Sequence, residues 1–192
     1  IGVLSLESYF PKPPGHIKNP SSMPFTLAYE VIEGLNVPKL LGNPSPDMLG
    51  PLIEAAQKLE RAGVKAITGS CGFLALFQKE IAAAVSVPVA VSSLMLVPMI
   101  HRMTGRPVGI ITASRASLTE AHLKAVGAHQ TPVVIQGMEE SDEFSEVILR
   151  GERTAMDLEI VEADLVQAGQ ALVDKSPEVG AILLECTDLP PY

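Results

Sequence analysis

Val64-Lys65-Ala66-Ile67-Thr68-Gly69-Ser70-Cys71-Gly72 decides how the rest of the chain is read. A short apolar run bounded by glycines reads as a buried strand that turns sharply at a cysteine. The pattern recurs. Val179, Ala181, Ile182 and Cys186 stand at the same relative positions as Val64, Ala66, Ile67 and Cys71. Apolar strands resemble one another by chance, but these are also the only two cysteines in 192 residues. The match predicts a duplicated fold, each half holding an opening strand, a later helix and a strand that ends in Cys.

Working outward, residues 1–6 and 107–112 read as the two opening strands. A Pro-rich loop follows the first, with Pro11, Pro13, Pro14, Gly15, Asn19 and Pro20. A helix is predicted over 46–62: Ser45 caps it, Pro46 suits its first position and Gly63 its stop. Further helices are expected from about Phe73, over 94–102, from Ser114 or Ser117 to Gly127, and over 152–175. Strands are expected at 88–91, 132–135 and 179–184. Strands alternating with helices imply a parallel α/β fold. The expected architecture is two similar parallel-sheet α/β domains related by a pseudo-two-fold, 1–103 carrying Cys71 and 104–192 carrying Cys186.

Composition narrows the function. Hydrophobic residues make up 47%, which excludes long disorder. Two Cys are too few for a disulfide scaffold or a four-cysteine zinc site. A net charge of −8 argues against nucleic acid and anionic membrane as partners. Residues 81–100 carry no charge, but Pro88 and the serines divide them into helix end, strand and second helix rather than a membrane span. No signal peptide is visible, so a cytoplasmic location is expected. The chain starts without Met and stops just after a strand, so it is expected to be cut, at the carboxyl end above all. His16, His101, His122 and His129 lack metal-ligand spacing. They are expected to be exposed, and no metal or cofactor is assigned.

Chemistry therefore rests on the two thiols. Each follows the carboxyl end of a parallel strand, where open α/β sheets bind ligands. Cys71 also precedes a helix, whose N-terminus is expected to lower its pKa from about 8.5 toward 7. A buried inert thiol or a disulfide is the bland alternative; no Cys-x-x-Cys redox motif is present. Two facing thiols can invert a stereocentre, one removing a proton and the other returning one. Glu185 and Asp188 flank Cys186, and a neighbouring carboxylate raises a thiol pKa. That suits Cys186 as acid and Cys71 as base. Ser8, Ser70, Gly72, Thr112, Ser114 and Thr187 are candidates for binding a substrate carboxylate, although Ser114 serves equally as a cap.

Residues 69–74 (Gly-Ser-Cys-Gly-Phe-Leu) and 184–192 (Leu-Glu-Cys-Thr-Asp-Leu-Pro-Pro-Tyr) resemble the two cysteine motifs of the aspartate/glutamate/hydantoin racemase family. The openings at 1–4 and 105–112 fit as well. The first motif departs from the Cys-Asn-Thr form of glutamate racemases, which turns the expectation away from glutamate. The resemblance implies two α/β domains with the site between them, cofactor-independent 1,1-proton transfer on a small amino-acid-like or carboxylate substrate, and frequent homodimers. Maleate isomerases of the same superfamily also use two cysteines, one as a nucleophile, and remain an alternative. Arylmalonate decarboxylases keep only the second. A non-catalytic two-lobed binding protein is the reading outside enzymes.

Overall fold

The structure is a computed structural model describing all residues, Ile1–Tyr192. Two parallel sheets, each backed by helices, form an α/β fold. The first has the order β2-β1-β3-β4, built from β1 (Gly2–Glu7), β2 (Ala28–Asn36), β3 (Ile67–Gly69) and β4 (Val89–Ala90). The second has the order β6-β5-β7, built from β5 (Val108–Thr112), β6 (Val133–Gly137) and β7 (Ala181–Leu184). β1 and β5 are central and almost wholly buried, which is why both read as unbroken apolar runs.

The duplication is visible in the register. Gly2 lies opposite Ile67, and Gly109 lies opposite Ile182. Each cysteine therefore follows at the same distance past its partner strand. The glycines serve helix packing. A Cβ on Gly2 would lie 3.0 Å from Leu59 of α2 (Leu49–Arg61). One on Gly109 would lie 2.8 Å from Leu172, which belongs to the long helix at Leu158–Lys175. In both halves a missing side chain lets a leucine of the covering helix sit directly on the central strand. A continuous core runs from Leu4 to Leu189 through both sheets.

Several elements depart from the sequence reading. β2 and α1 (Val37–Gly42) were not expected. β2 is an edge strand with Glu30 and Glu33 among its residues and much of its surface outward, so its apolar signal is diluted. It is the counterpart of β6, flanking the central strand on the side away from the cysteine strand. The helix after Phe73 begins as a 3-10 turn, Gly72–Phe77, and continues as α3 (Gln78–Ala83). A second 3-10 turn, Ser93–Leu96, leads into α4 (Val97–Thr104) and is capped by Ser92. α5 (Glu120–Ala125) is capped by Thr119, not by Ser114 or Ser117, because Thr119 forms a reciprocal capping box with His122.

Within the acidic stretch from Glu139 to Glu146, Glu143 is buried. It lies on α6 (Asp142–Phe144), pairs with Arg153 and accepts the Asp157 N–H. Those contacts hold 150–157 as a strap. The long helix, α7, therefore starts at Leu158, capped by Asp157, rather than at 152. No helix is long and apolar enough to cross a membrane.

Candidate active site

Cys71 ends the β3 turn in extended backbone (φ −156°, ψ 127°) and caps the 3-10 turn that follows. Cys186 follows β7 after one residue, Glu185. Both are buried free thiols. The two turns are tied together: Thr187 Oγ1 donates to the Ser70 carbonyl at 2.6 Å. Ser70 in turn holds β1, its Oγ accepting the Leu6 N–H at 2.9 Å. Gly72 meets Glu185 so closely that a Cβ there would overlap the carboxylate.

The electrostatics overturn one expectation. The start of a helical turn was expected to lower the Cys71 pKa; burial instead pushes it well above its ordinary value. Glu185 adds to the rise and Asp188 adds less, against one opposing hydrogen bond from Phe73 N–H. Cys186 is also pushed well up, by burial first, then Asp188, Glu185 and Cys71. A short 3-10 turn cannot offset the desolvation of a buried thiolate beside two acids. Glu185, only 1% exposed, is itself raised to about 7 by burial, although Thr112 Oγ1 donates to its Oε2 at 2.8 Å. Its Oε1 is buried without a hydrogen-bond partner.

His16 and His122 were expected to be exposed; each is 2% exposed. His16 comes from the Pro-rich loop. Its Nδ1 accepts the Lys18 N–H at 2.8 Å, which leaves Nε2 to carry the hydrogen. Nε2 donates to Asp188 Oδ1 at 2.6 Å, and Asp188 Oδ2 accepts from Cys186 Sγ at 3.5 Å. Cys186 therefore has a carboxylate partner locked by a histidine, while Cys71 has no side-chain hydrogen bond. Only residue order concealed this: His16 and Asp188 lie 172 residues apart. The same loop brings Lys12 and Lys18. Burial lowers both, Lys12 to about 7, and neither forms an ion pair. Lys18 Nζ donates to Leu6 O at 2.7 Å and to Ser8 Oγ at 2.8 Å.

The remaining candidates divide. The Thr112 hydroxyl is engaged with Glu185 and the Thr187 hydroxyl with the Ser70 carbonyl, and the Ser70 hydroxyl accepts the Leu6 N–H. Ser8 stands beside Lys18, whereas Ser114 turns locally onto Ser117 at 3.1 Å. A recess of about 370 Å³ opens beside Cys186 between the ends of β3, β4 and β7.

His122 packs edge-on against Phe73, ring centroids 5.0 Å apart. Burial lowers its pKa from 6.5 to about 4. The unfolded chain therefore takes up this proton first, and stability present above pH 6.5 falls away as pH drops toward 4. His122→Gln keeps a capping-box residue and removes the titration. Its denaturant midpoint should fall less than the wild type's between pH 7 and pH 4.5, as followed by urea unfolding; equal falls would remove His122 from the account.

A model of the Asp/Glu/Hydantoin racemase family matches residues 26–192. A dimethylsulfoniopropionate lyase of Durusdinium sp. clade D is 32% identical over 201 residues, which is 100% of this chain and 66% of that protein. Dimethylsulfoniopropionate lyase 3 of Emiliania huxleyi is 32% identical over 204 residues, 100% of this chain and 52% of that protein. The chain thus spans between half and two thirds of these relatives. Among solved structures, an aspartate racemase homologue from Pyrococcus horikoshii OT3 superposes with TM-score 0.55 at 21% identity, over 86% of this chain and 71% of that one. The Picrophilus torridus aspartate racemase superposes with TM-score 0.56 at 14% identity, over 99% and 81%. Arylmalonate decarboxylase does so with 0.55 at 13%, over 96% and 75%.

Proposed function

The chain belongs to the Asp/Glu/hydantoin racemase family, and from that premise we propose that it is a thiol-dependent carbon-acid lyase cleaving dimethylsulfoniopropionate or a close onium carboxylate. The observation that carries this reading is the unequal setting of the two thiols. A racemase working in both directions needs acid and base to exchange roles. Here Cys186 is committed to Asp188 and His16, and Cys71 is not. That asymmetry suits one-way proton abstraction, and the curated relatives that match the whole chain are named as lyases.

In this mechanism the Cys71 thiolate removes the proton from the carbon beside the carboxylate and becomes a thiol. The C–H electron pair forms the C=C bond. The Cβ–S pair leaves with sulfur as dimethyl sulfide, and acrylate remains. Cys71 then returns its proton to water. Cys186, held as a thiol by Asp188, donates toward the carboxylate as it takes on enolate character. Lys18, half-buried and without an acidic partner, offers positive charge to the same carboxylate, and a substrate carboxylate would raise the lowered Lys12 back toward its charged form. A cationic substrate also lowers both thiol pKa values on arrival, because it offsets the negative charge of Glu185 and Asp188 that raises them.

The test is incubation with dimethylsulfoniopropionate, with dimethyl sulfide followed in the headspace and acrylate in solution in equal amounts. The racemase reading, supported by the matched strand-end thiols, predicts instead deuterium uptake from heavy water at Cα of an amino acid with inversion and no sulfide release. Absence of both products from the folded protein overturns the lyase assignment.

A further inference from the structure

We infer that the recess between the ends of β3, β4 and β7 is a subsite for a methylated onium group, with Glu185 as its counter-ion. The inference deepens the lyase reading and rests on it for the substrate, but the recess supports it on its own features. Ile17, Met23, Val91, Met95, Leu96 and Pro190 supply apolar walls. At about 370 Å³ it falls within the range of small-ligand pockets. None of its lining residues is Lys, Arg or His, and its one charged residue is Glu185.

The hydroxyls around the recess are each engaged with the backbone. Thr68 Oγ1 donates to Ala90 O, Ser93 Oγ to Leu184 O and Thr187 Oγ1 to Ser70 O. Ser92 Oγ accepts the Leu94 N–H. An ammonium group entering here could give one N–H to Glu185 Oε1 and others only to hydroxyl lone pairs, so any N–H facing the Ile17, Met23, Val91 and Leu96 walls would go unpaired, which is costly. A methylated sulfonium or quaternary ammonium has no such donors and carries a diffuse charge that suits apolar walls and polarizable thioethers.

Glu185 supplies what that cation needs. Oε2 is satisfied by Thr112, while Oε1, buried and without a partner, lies against Gly72, another lining residue. A buried carboxylate oxygen in that position is stabilised by a proton or by a cation. Burial has already moved Glu185 to about 7, so the site answers to pH near neutrality. Cation binding favours the ionised carboxylate, and affinity should therefore rise as pH increases through 7.

The experiment titrates the protein with trimethylsulfonium chloride, methylammonium chloride and tert-butanol, reading heat of binding and thermal stabilisation at pH 6 and pH 8. Trimethylsulfonium should bind at least fivefold more tightly at pH 8 and at least tenfold more tightly than the other two. Glu185→Gln, which keeps an acceptor for Thr112, should weaken it at least tenfold. Met95→Lys, which places an ammonium in a partly exposed wall, should abolish it even if Glu185→Gln folds poorly. Binding that ignores pH and both substitutions, or methylammonium binding as tightly as trimethylsulfonium, overturns the subsite. Onium binding without cleavage of dimethylsulfoniopropionate leaves the subsite standing and refutes the lyase reading. Cleavage unaffected by Glu185→Gln does the reverse.

Discussion

Cys71→Ser should lose about 1000-fold or more in kcat/KM for cleavage of dimethylsulfoniopropionate, with the fold intact. Proton transfer by a positioned group contributes roughly 10²–10⁴-fold. A serine hydroxyl in the same buried place, beside Glu185 and Asp188, cannot supply the base, because the desolvation that already raises the thiol acts on a far weaker acid. Cys186→Ser should cost less, about 10–100-fold. Its proposed part is to donate a hydrogen bond, which a hydroxyl next to Asp188 still does. Rates of sulfide release for the two variants, measured with unfolding midpoints as controls, check the ordering. Equal, total loss from both would favour two interchangeable bases and with them the racemase. A benign Cys71→Ser beside an inactive Cys186→Ser would transfer the base to the thiol that Asp188 holds.

The parts of the fold legible in the sequence were those whose burial pattern is regular along a single element. β1 and β5 are buried on both sides and read as plain apolar runs. α2 shows its stop at Gly63 and its apolar stripe in one window. β2 was missed because an edge strand carries mixed signals, with glutamates among its apolar residues. The site divided in the same way. Cys71 and Cys186 were singled out as candidates from a local repeat, and the parallel register places them alike past their partner strands. Asp188 was suspected from adjacency. His16 was misjudged as exposed because its reason for burial lies at the far end of the chain, where Asp188 accepts its hydrogen. Sequence spacing reports local geometry well, but burial depends on contacts that only topology supplies. The thiol pKa values failed for that reason: the helical turn was legible locally, whereas the enclosing core and the two acids were not.

Gly72→Ala tests whether the two motif turns really meet as closely as the structure places them. The glycine is not needed for an unusual backbone, since its φ is not positive; it is needed for space. An added Cβ would overlap Glu185 Oε1 and come within 2.5 Å of the Glu185 carbonyl oxygen. The carboxylate can swing, but the carbonyl belongs to the backbone that positions Cys186. The β7 end therefore has to shift. Overpacking of this kind costs typically about 1–3 kcal/mol, which in a chain of this length corresponds to a fall in Tm of about 2–12 °C. The shift also moves one thiol relative to the other, and a misplacement of about 1 Å can cost roughly 100-fold in rate. Calorimetry and kcat/KM on the same sample measure both effects. Adding Glu185→Ala removes the carboxylate overlap but leaves the carbonyl, so the double variant should recover only part of the lost stability. A Gly72→Ala protein with unchanged Tm and unchanged rate would mean that the Cys71 and Cys186 turns stand further apart than the packing of Gly72 on Glu185 requires, and the shared thiol cluster would fall with it.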